Sequence, residues 1–449
     1  MNANRSSQST NSREAAFSAP EKNGDHKSTI LASQKKKIAF VCSGGATKAG
    51  AFHLGVALAL QERGFRFEGG LQSPQVASGL VNEPFSKKYS TPVVEAFPRI
   101  STYVGSSAGS IISTYLAAGY SLDEIFDSFL GKKPKEGQKA LGRLTYSVMF
   151  SLRKEKGYFS KFSFLRDSDG ALPSFSNLLG GLAKGSFENL FKMKWMKAPG
   201  IFSTSGIERY LREDVLLSNN FCDYKSDLFI VATQLNHSRK IVFGKLNRAH
   251  RDKTVKYRSS ATISDACAAS TALPPVYAPW PIKTKKGQTA YYFDGEIRDT
   301  LSTHVAADAG ADLIFASYTH QPYHFVKEIG SLHEYGLPAI LIQALYLMIE
   351  RRIQSHRVHL QQNNQILDLI SEFCKTHQID EVARRGLLDK LESVMSHRRD
   401  IDYVWIHPKE SDHQMFFGDH FNLSPTKMGE IVRLGFRAAV DTLKRYEFK

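Results

Sequence analysis

Twice in its first 120 residues this sequence runs from a short strand-like stretch into a glycine turn and then into a helix. That repeated unit constrains the fold more than any other feature of the chain. In the first instance residues 38–42 (IAFVC) read as a buried strand. Ser43-Gly44-Gly45-Ala46-Thr47-Lys48-Ala49-Gly50 follows, and AFHLGVALALQERG then keeps a helical pattern to Gly64. In the second, residues 100–104 form the strand, Gly105-Ser106-Ser107-Ala108-Gly109 the turn, and 110–118 a helix of small residues closed by Gly119. Strands alternating with helices predict an α/β fold, a sandwich of three layers with a central, mostly parallel sheet and helices on both sides.

The rest of the chain fits that plan. Further strands are expected at 228–233, 240–243, 291–293 and 312–317, with a helix over 302–309. Residues 336–398 read as mainly helical, 403–406 as one more strand, and 424–446 as a terminal helix. A strand after a helical block makes that block an excursion from the same domain. The expected organisation is a polar, disordered segment over 1–34, a core over 35–325 and a mainly helical extension over 326–449 packed on it. Within the core, 65–99 is rich in Gly, Pro, Ser and Asn and reads as an insertion, and 131–200 as a basic, aromatic cap.

Composition narrows the function classes. The formal net charge is +15, which attracts nucleic acid, an anionic membrane or an acidic partner. No zinc-finger spacing, RNA-binding aromatic signature or long basic helix is present, so nucleic acid is not expected as a partner. Four scattered cysteines with no C-x-x-C pair predict reduced thiols rather than a disulfide framework or structural zinc. The longest apolar stretch, 337–349, is interrupted by Gln343 and too short to span a bilayer. The polar leader has no signal-peptide core. A cytoplasmic protein with peripheral membrane contact fits this, as does a bacterial effector exported without a signal peptide.

Three sites carry chemistry. Gly105-x-Ser107-x-Gly109 between strand and helix fits a nucleophile elbow, in which glycines make room for a strained serine and the helix N-terminus faces a developing oxyanion. The 43–50 turn lacks the lysine of a phosphate loop, since Ala51 follows Gly50, and it lacks G-x-G-x-x-G; an oxyanion hole needs only one or two of its N–H groups. Asp294-Gly295 follows a strand, where an aspartate reaches a site at the sheet's C-terminal edge or simply makes a turn.

In this order these pieces resemble the patatin-like phospholipase family, over about residues 37–318. Residues 38–56 resemble its strand, oxyanion loop and first helix, 103–111 its elbow, 268–275 (AASTALPP) its Ala-Ser-x-Ala-x-Pro segment, Asp294-Gly295 its Asp-Gly, and 304–315 the helix and strand that follow. The resemblance implies a Ser107–Asp294 dyad, with no histidine relay, acting on phospholipid or another acyl lipid. It implies phospholipase A or lysophospholipase chemistry and needs no metal or cofactor. It implies an oxyanion hole from the N–H groups of Gly44, Gly45 and Ala46, joined by Ala108, with Lys48, Gly50, Gly105, Gly109 and Gly295 as supporting motif residues. The loop departs from the family's three consecutive glycines at Ala46, and a further residue, Ala49, separates Lys48 from Gly50. Glu296 stands where the family has Gly or Ala. Close to Asp294 it would favour that residue's protonated form, so it is expected to point away.

Two further features bear on function. Between 131 and 166 there are ten Lys/Arg and two Glu, interleaved with Tyr146, Phe150, Tyr158, Phe159, Phe162 and Phe164. With 187–197 (FENLFKMKWMK), this stretch is expected to contact an anionic membrane. An α/β-hydrolase triad would need a histidine after the acid, for which His304 or His320 stands in chain order. The same dyad would also serve a transacylase or thioesterase, and a degenerate loop would suit a non-catalytic lipid-binding protein.

Overall fold

The computed structural model describes residues 28–72, 98–132, 141–152, 200–246, 252–284, 286–418 and 421–449. Most of the expected insertion (73–97), most of the basic cap (133–140 and 153–199) and the leader to residue 27 lie outside them.

The first unit is strand β1 (Ile38–Cys42) and helix α1 (Ala46–Glu62). The second is β2 (Arg99–Ser106) and α2 (Ala108–Ala118), closed by Gly119 in the left-handed conformation. Side chains along a strand alternate between faces. Ile38, Phe40 and Cys42 pack with Phe52 and Leu54 of α1, while Ala39 and Val41 pack in a separate apolar layer on the other face. Burial on both faces is why such strands read as unbroken apolar runs.

The second unit is followed by β3 (Asp227–Gln234), β4 (Arg239–Gly244), β5 (Val255–Arg258), α3 (Ile263–Ser270), β6 (Trp280–Lys283) and β7 (Thr289–Asp294). Then come α4 (Thr303–Asp308), β8 (Leu313–Ser317), α5 (Gly336–Thr376), α6 (Glu381–Met395), β9 (Asp402–Ile406) and α7 (Pro425–Leu443). The sheet runs in the order β6-β7-β3-β2-β1-β8-β9, with β4 paired to β3 and β5 to β4. The five strands from β3 to β9 along that path are parallel; β7 and β4 run antiparallel to β3. Val305 of α4 and Ile349 and Ile353 of α5 cover the second face, and α1, α2 and α7 the first. This is the three-layer α/β sandwich.

The extension is joined to this frame by β9, which pairs in parallel with β8 from Leu313↔Asp402 to Ser317↔Ile406. It is joined again by α7, which crosses α1 at two glycines. A Cβ on Gly55 would lie 2.0 Å from the Val432 carbonyl oxygen, and one on Gly435 would lie 2.2 Å from that of Phe52. Only backbones without side chains pack at that distance.

The leader differs from expectation at its end. Ser28–Ile30 is a strand, parallel to Tyr446–Phe448, with Ile30 buried. Thr29, Ile30 and Leu31 end the polar run with apolar, β-branched residues that the C-terminal strand can cover.

Candidate active site

Strand register brings the two central side chains together. β2 pairs with β3 up to Ser106↔Val231, and there β2 ends. One residue further along β3, the antiparallel β7 takes over, with Asp294 opposite Ala232. Ser107, the next residue after Ser106, and Asp294, the last of β7, therefore meet where one partner strand hands over to the other.

Ser107 is held in a strained turn, with φ +51° and ψ −126°. A left-handed non-glycine residue costs about 1–3 kcal/mol and persists only where its surroundings over-determine it. They do so here. The Ser107 N–H donates to Ser270 Oγ (2.8 Å), whose own proton goes to the Val231 carbonyl (2.6 Å). Ser110 Oγ donates to the Ser107 carbonyl (2.6 Å). A Cβ on Gly105 would stand 2.5 Å from the Gly109 carbonyl oxygen, and one on Gly109 would stand 2.4 Å from that of Cys42. The two motif glycines thus let the elbow fold on itself and sit on the end of β1. Gly295 does the same for the acid, since its Cβ would lie 2.3 Å from the Val231 oxygen. Gly50 is less crowded, with its nearest neighbour at 3.7 Å.

Asp294 is buried, and burial raises its pKa to about 6. The Glu296 N–H, 2.9 Å from Oδ1, and the Ser107 hydroxyl favour the charged form and limit the rise. Glu296 does not point away. It is 7% exposed and lines the same cavity as Ser107 and Asp294. The reason is local: Gly295–Ile297 is a 3-10 turn, which brings the side chain two residues past Asp294 back toward the site.

The glycine turn is pinned from behind. Gly45 has φ +130° and Ala46 φ +57°, so the position where the family pattern has a third glycine here carries a methyl group in the left-handed region. Thr319 Oγ1 donates to the Gly44 carbonyl (3.0 Å). His53 bridges the turn to the end of β8, with Nε2 2.8 Å from the Ser43 carbonyl and Nδ1 2.7 Å from Ser317 Oγ. A carbonyl only accepts, so Nε2 carries the proton and Nδ1 accepts from the serine. Burial, partly offset by the Ser43 hydrogen bond, lowers the His53 pKa to about 4 and keeps the ring neutral. Lys48 is buried, with Nζ bonded to the Met415 carbonyl and 5.7 Å from the Tyr346 ring centre. Ser270 is the serine of the Ala-Ser-x-Ala-x-Pro segment, whereas sequence reasoning passed over His53 and Thr319, because each looks like an ordinary position in a helix or at an element's end.

Gly45, Ala46, Ser107, Ala108, Asp294 and Glu296 all border one cavity of about 360 Å³. Ala46 and Ala108 begin their helices, so their N–H groups have no intrahelical acceptor. Gly44 does not line the cavity; its N–H faces the carboxyl group of Glu296. Beyond the polar end the walls are apolar, with Ile111, Met149, Leu273, Val276, Phe421 and Met428 among them. Of the two histidines, His304 lies with Lys240 and Asp299, its Nε2 3.1 Å from Nζ, and not on the cavity. His320 lines the cavity with its ring edge-on to Tyr346 at 5.2 Å. Burial, with help from Lys48 and His53, lowers its pKa to about 3. Among the described residues neither ring is hydrogen-bonded to Ser107 or Asp294, and no cluster of His, Cys, Asp or Glu is arranged to hold a metal ion.

A serine activated by a carboxylate, with N–H groups beside it and an apolar cavity beyond, can transfer acyl groups. A family model described as patatin-like phospholipase matches residues 40–307. No curated protein matches the chain.

Proposed function

Because the chain belongs to the patatin-like phospholipase family, whose members hydrolyse acyl lipids, we propose that it cleaves carboxylic esters of membrane lipids through an acyl-enzyme on Ser107 with Asp294 as base. The observation that carries this is the convergence of strained Ser107, buried Asp294 and an apolar cavity at one strand handover. The Ser107 oxygen bonds to the ester carbonyl carbon, the C=O π pair moves onto oxygen, and Asp294 takes the serine proton. When the C–O bond breaks, Asp294 returns that proton to the departing alcohol. Water, deprotonated by Asp294, then repeats the sequence on the acyl-enzyme and releases the fatty acid. The N–H groups of Gly45, Ala46 and Ala108 support the oxyanion.

Product analysis tests the reaction class. With phospholipid, lysophospholipid and acyl-thioester substrates, free fatty acid from the oxygen esters is the expected main product. Acyl transfer to an added alcohol in preference to water, or turnover of the thioester alone, would replace hydrolysis with transacylase or thioesterase activity.

The same reading includes the surface on which the lipid is met. The basic stretch expected to do this lies mostly outside the described residues. The first turns of α5 offer a surface inside them. No charged residue occurs from 337 to 349. Ile342, Leu345, Tyr346 and Ile349 face the cavity, while Leu337, Ile340, Leu341, Leu347 and Met348 are about half exposed. Leu345 is both exposed and cavity-lining, so the outer apolar face runs into the cavity rim; half-buried Glu350 follows, then the exposed Arg351 and Arg352. An anionic bilayer fits an uncharged helix face with cations at its edge. No helix among the described residues is long and apolar enough to cross a membrane. Co-sedimentation should be stronger with anionic than neutral vesicles and weaken with salt. Leu341→Glu with Met348→Glu should cut vesicle binding and vesicle hydrolysis about tenfold or more, each inserted charge costing a few kcal/mol in apolar surroundings. Hydrolysis of a soluble short-chain ester should be unchanged. Unaltered vesicle binding by the double variant would remove this face from the reading. A change of oligomeric state in the double variant would assign it to a second copy of the chain.

A further inference from the structure

Glu296 is an acidic side chain of the site that neither the dyad nor the family pattern uses. It is 7% exposed, it lines the cavity, and among the described residues neither carboxyl oxygen has a hydrogen-bond partner of full geometry, the Gly44 N–H and Ser106 hydroxyl being looser contacts. Its position is tied to both parts of the reaction centre. A Cβ placed on Gly44 would lie 2.6 Å from Glu296 Cγ and 2.8 Å from Ser107 Cβ, so the two side chains converge on one point beside the glycine turn. The Gly44 N–H faces this carboxyl group rather than the cavity. One of the amides expected to serve the oxyanion is thus turned to Glu296, and the Glu296 carboxyl group stands at the cavity in its stead.

We propose that Glu296 is a catalytic residue that donates a hydrogen bond from its carboxylic acid O–H to the oxyanion formed at Ser107. The proposal rests on Ser107 as nucleophile. No proton is transferred in this role: the Glu296 O–H bond stays intact while the serine proton moves to Asp294 and on to the leaving alcohol.

The physical requirement is a carboxyl group that stays protonated while its neighbour ionises. Burial, then the charge of Asp294, raise the Glu296 pKa to about 8; contacts with the Gly44 N–H and the Ser106 hydroxyl pull it back, and Asp299 adds a small push upward. Asp294, pushed only to about 6, has a full hydrogen bond from the Glu296 N–H and the Ser107 hydroxyl against it. Two adjacent buried carboxyl groups do not both ionise readily, and the one whose charged form accepts the better hydrogen bonds, here Asp294, ionises first. Between about pH 6 and 8 the pair therefore holds one proton, on Glu296. Other charged groups nearby are already engaged. Asp299 is paired with Lys240, Lys48 is bonded to the Met415 carbonyl, and Arg352 Nη1 donates to the Ile297 carbonyl at 3.0 Å. His320, on the same cavity, stays neutral. A neutral acid in an apolar site is an effective donor to a developing oxyanion, whereas its ionised form repels one.

The test is a kcat–pH profile with a soluble ester, from pH 5 to 10, for the wild type, Glu296→Gln and Glu296→Ala. The wild type should lose kcat as pH rises through about 8. Glu296→Gln, which keeps a donor of the same shape, should retain most of the kcat at pH 7 and lose the alkaline fall. Glu296→Ala should drop kcat about 100-fold at pH 7 with little change in KM, the size of a lost oxyanion donor. End-point labelling of Ser107 by a fluorophosphonate in every variant shows whether nucleophile and base remain. If Ser107 labels nowhere, the nucleophile assignment fails; if it labels everywhere, the kinetics judge Glu296 alone. Glu296→Ala within about twofold of wild type, or faster, would overturn the proposal. So would a Glu296→Gln profile that keeps the wild-type alkaline fall, and this isosteric variant decides the matter if Glu296→Ala does not fold.

Discussion

Ser107→Ala is expected to lower kcat for a short-chain ester by at least about 10,000-fold, the loss typical when a nucleophile acting in concert with its base is removed. The fold should be unaffected. The hydrogen bonds that hold the elbow go to the backbone N–H and C=O of residue 107, and both survive the substitution. Alanine keeps the Cβ that the turn already accommodates at φ +51°. The change in stability should stay within about 0.5 kcal/mol, as for substitutions that disturb neither packing nor a buried network. Asp294 loses the contact that favours its charge, so its pKa should move further up. The measurements are an esterase assay on purified protein, a lipid product profile and fluorophosphonate labelling. Activity in the variant above that of a mock preparation would remove Ser107 from its role.

What could be read in the sequence follows from how each piece is buried. β1, β3 and β8 are covered on both faces, so each carries an unbroken apolar run that stands out from its surroundings. β5 and β6 are different. Val255–Arg258 alternates buried and half-buried residues over only four positions, and Trp280–Lys283 contains a proline and leaves most of its residues partly exposed. Short edge strands of that kind leave too few apolar positions to be seen. At the site, Ser107 and Asp294 were legible because each needs glycine beside it: crowded backbone leaves a mark in the sequence. The orientation of Glu296 was not. Strand alternation gives no guide once the chain enters the 3-10 turn at Gly295. The Ala-Ser-x-Ala-x-Pro pattern marks Ser270 but not its bond to the Ser107 N–H; His53 and Thr319 act on residues far away in the chain, and no local pattern reports a bond of that kind.

Asp294→Asn should be inactive to a degree approaching Ser107→Ala, roughly 1,000- to 10,000-fold down in kcat, for a different reason. Asparagine fills the same space, and its Oδ1 can still accept from the Glu296 N–H that now bonds the aspartate. It cannot take the serine proton. The variant also removes a buried charge, one of the causes that raise the Glu296 pKa, so the stability of the fold has no reason to fall. The sign of the pH dependence follows from the pKa of about 6. The base works when ionised, so wild-type kcat/KM should rise as pH increases through about 6, and the residual rate of Asp294→Asn should show no such step. His304→Ala is the matched comparison. Its ring lies with Lys240 and Asp299, off the cavity, so the variant should keep kcat within about threefold. An inactive but folded His304→Ala beside an active Asp294→Asn would replace the dyad with a histidine triad. The positions argue against that outcome: Asp294 already meets the Ser107 hydroxyl directly at the strand handover, and among the described residues neither His304 nor His320 is hydrogen-bonded to either of them.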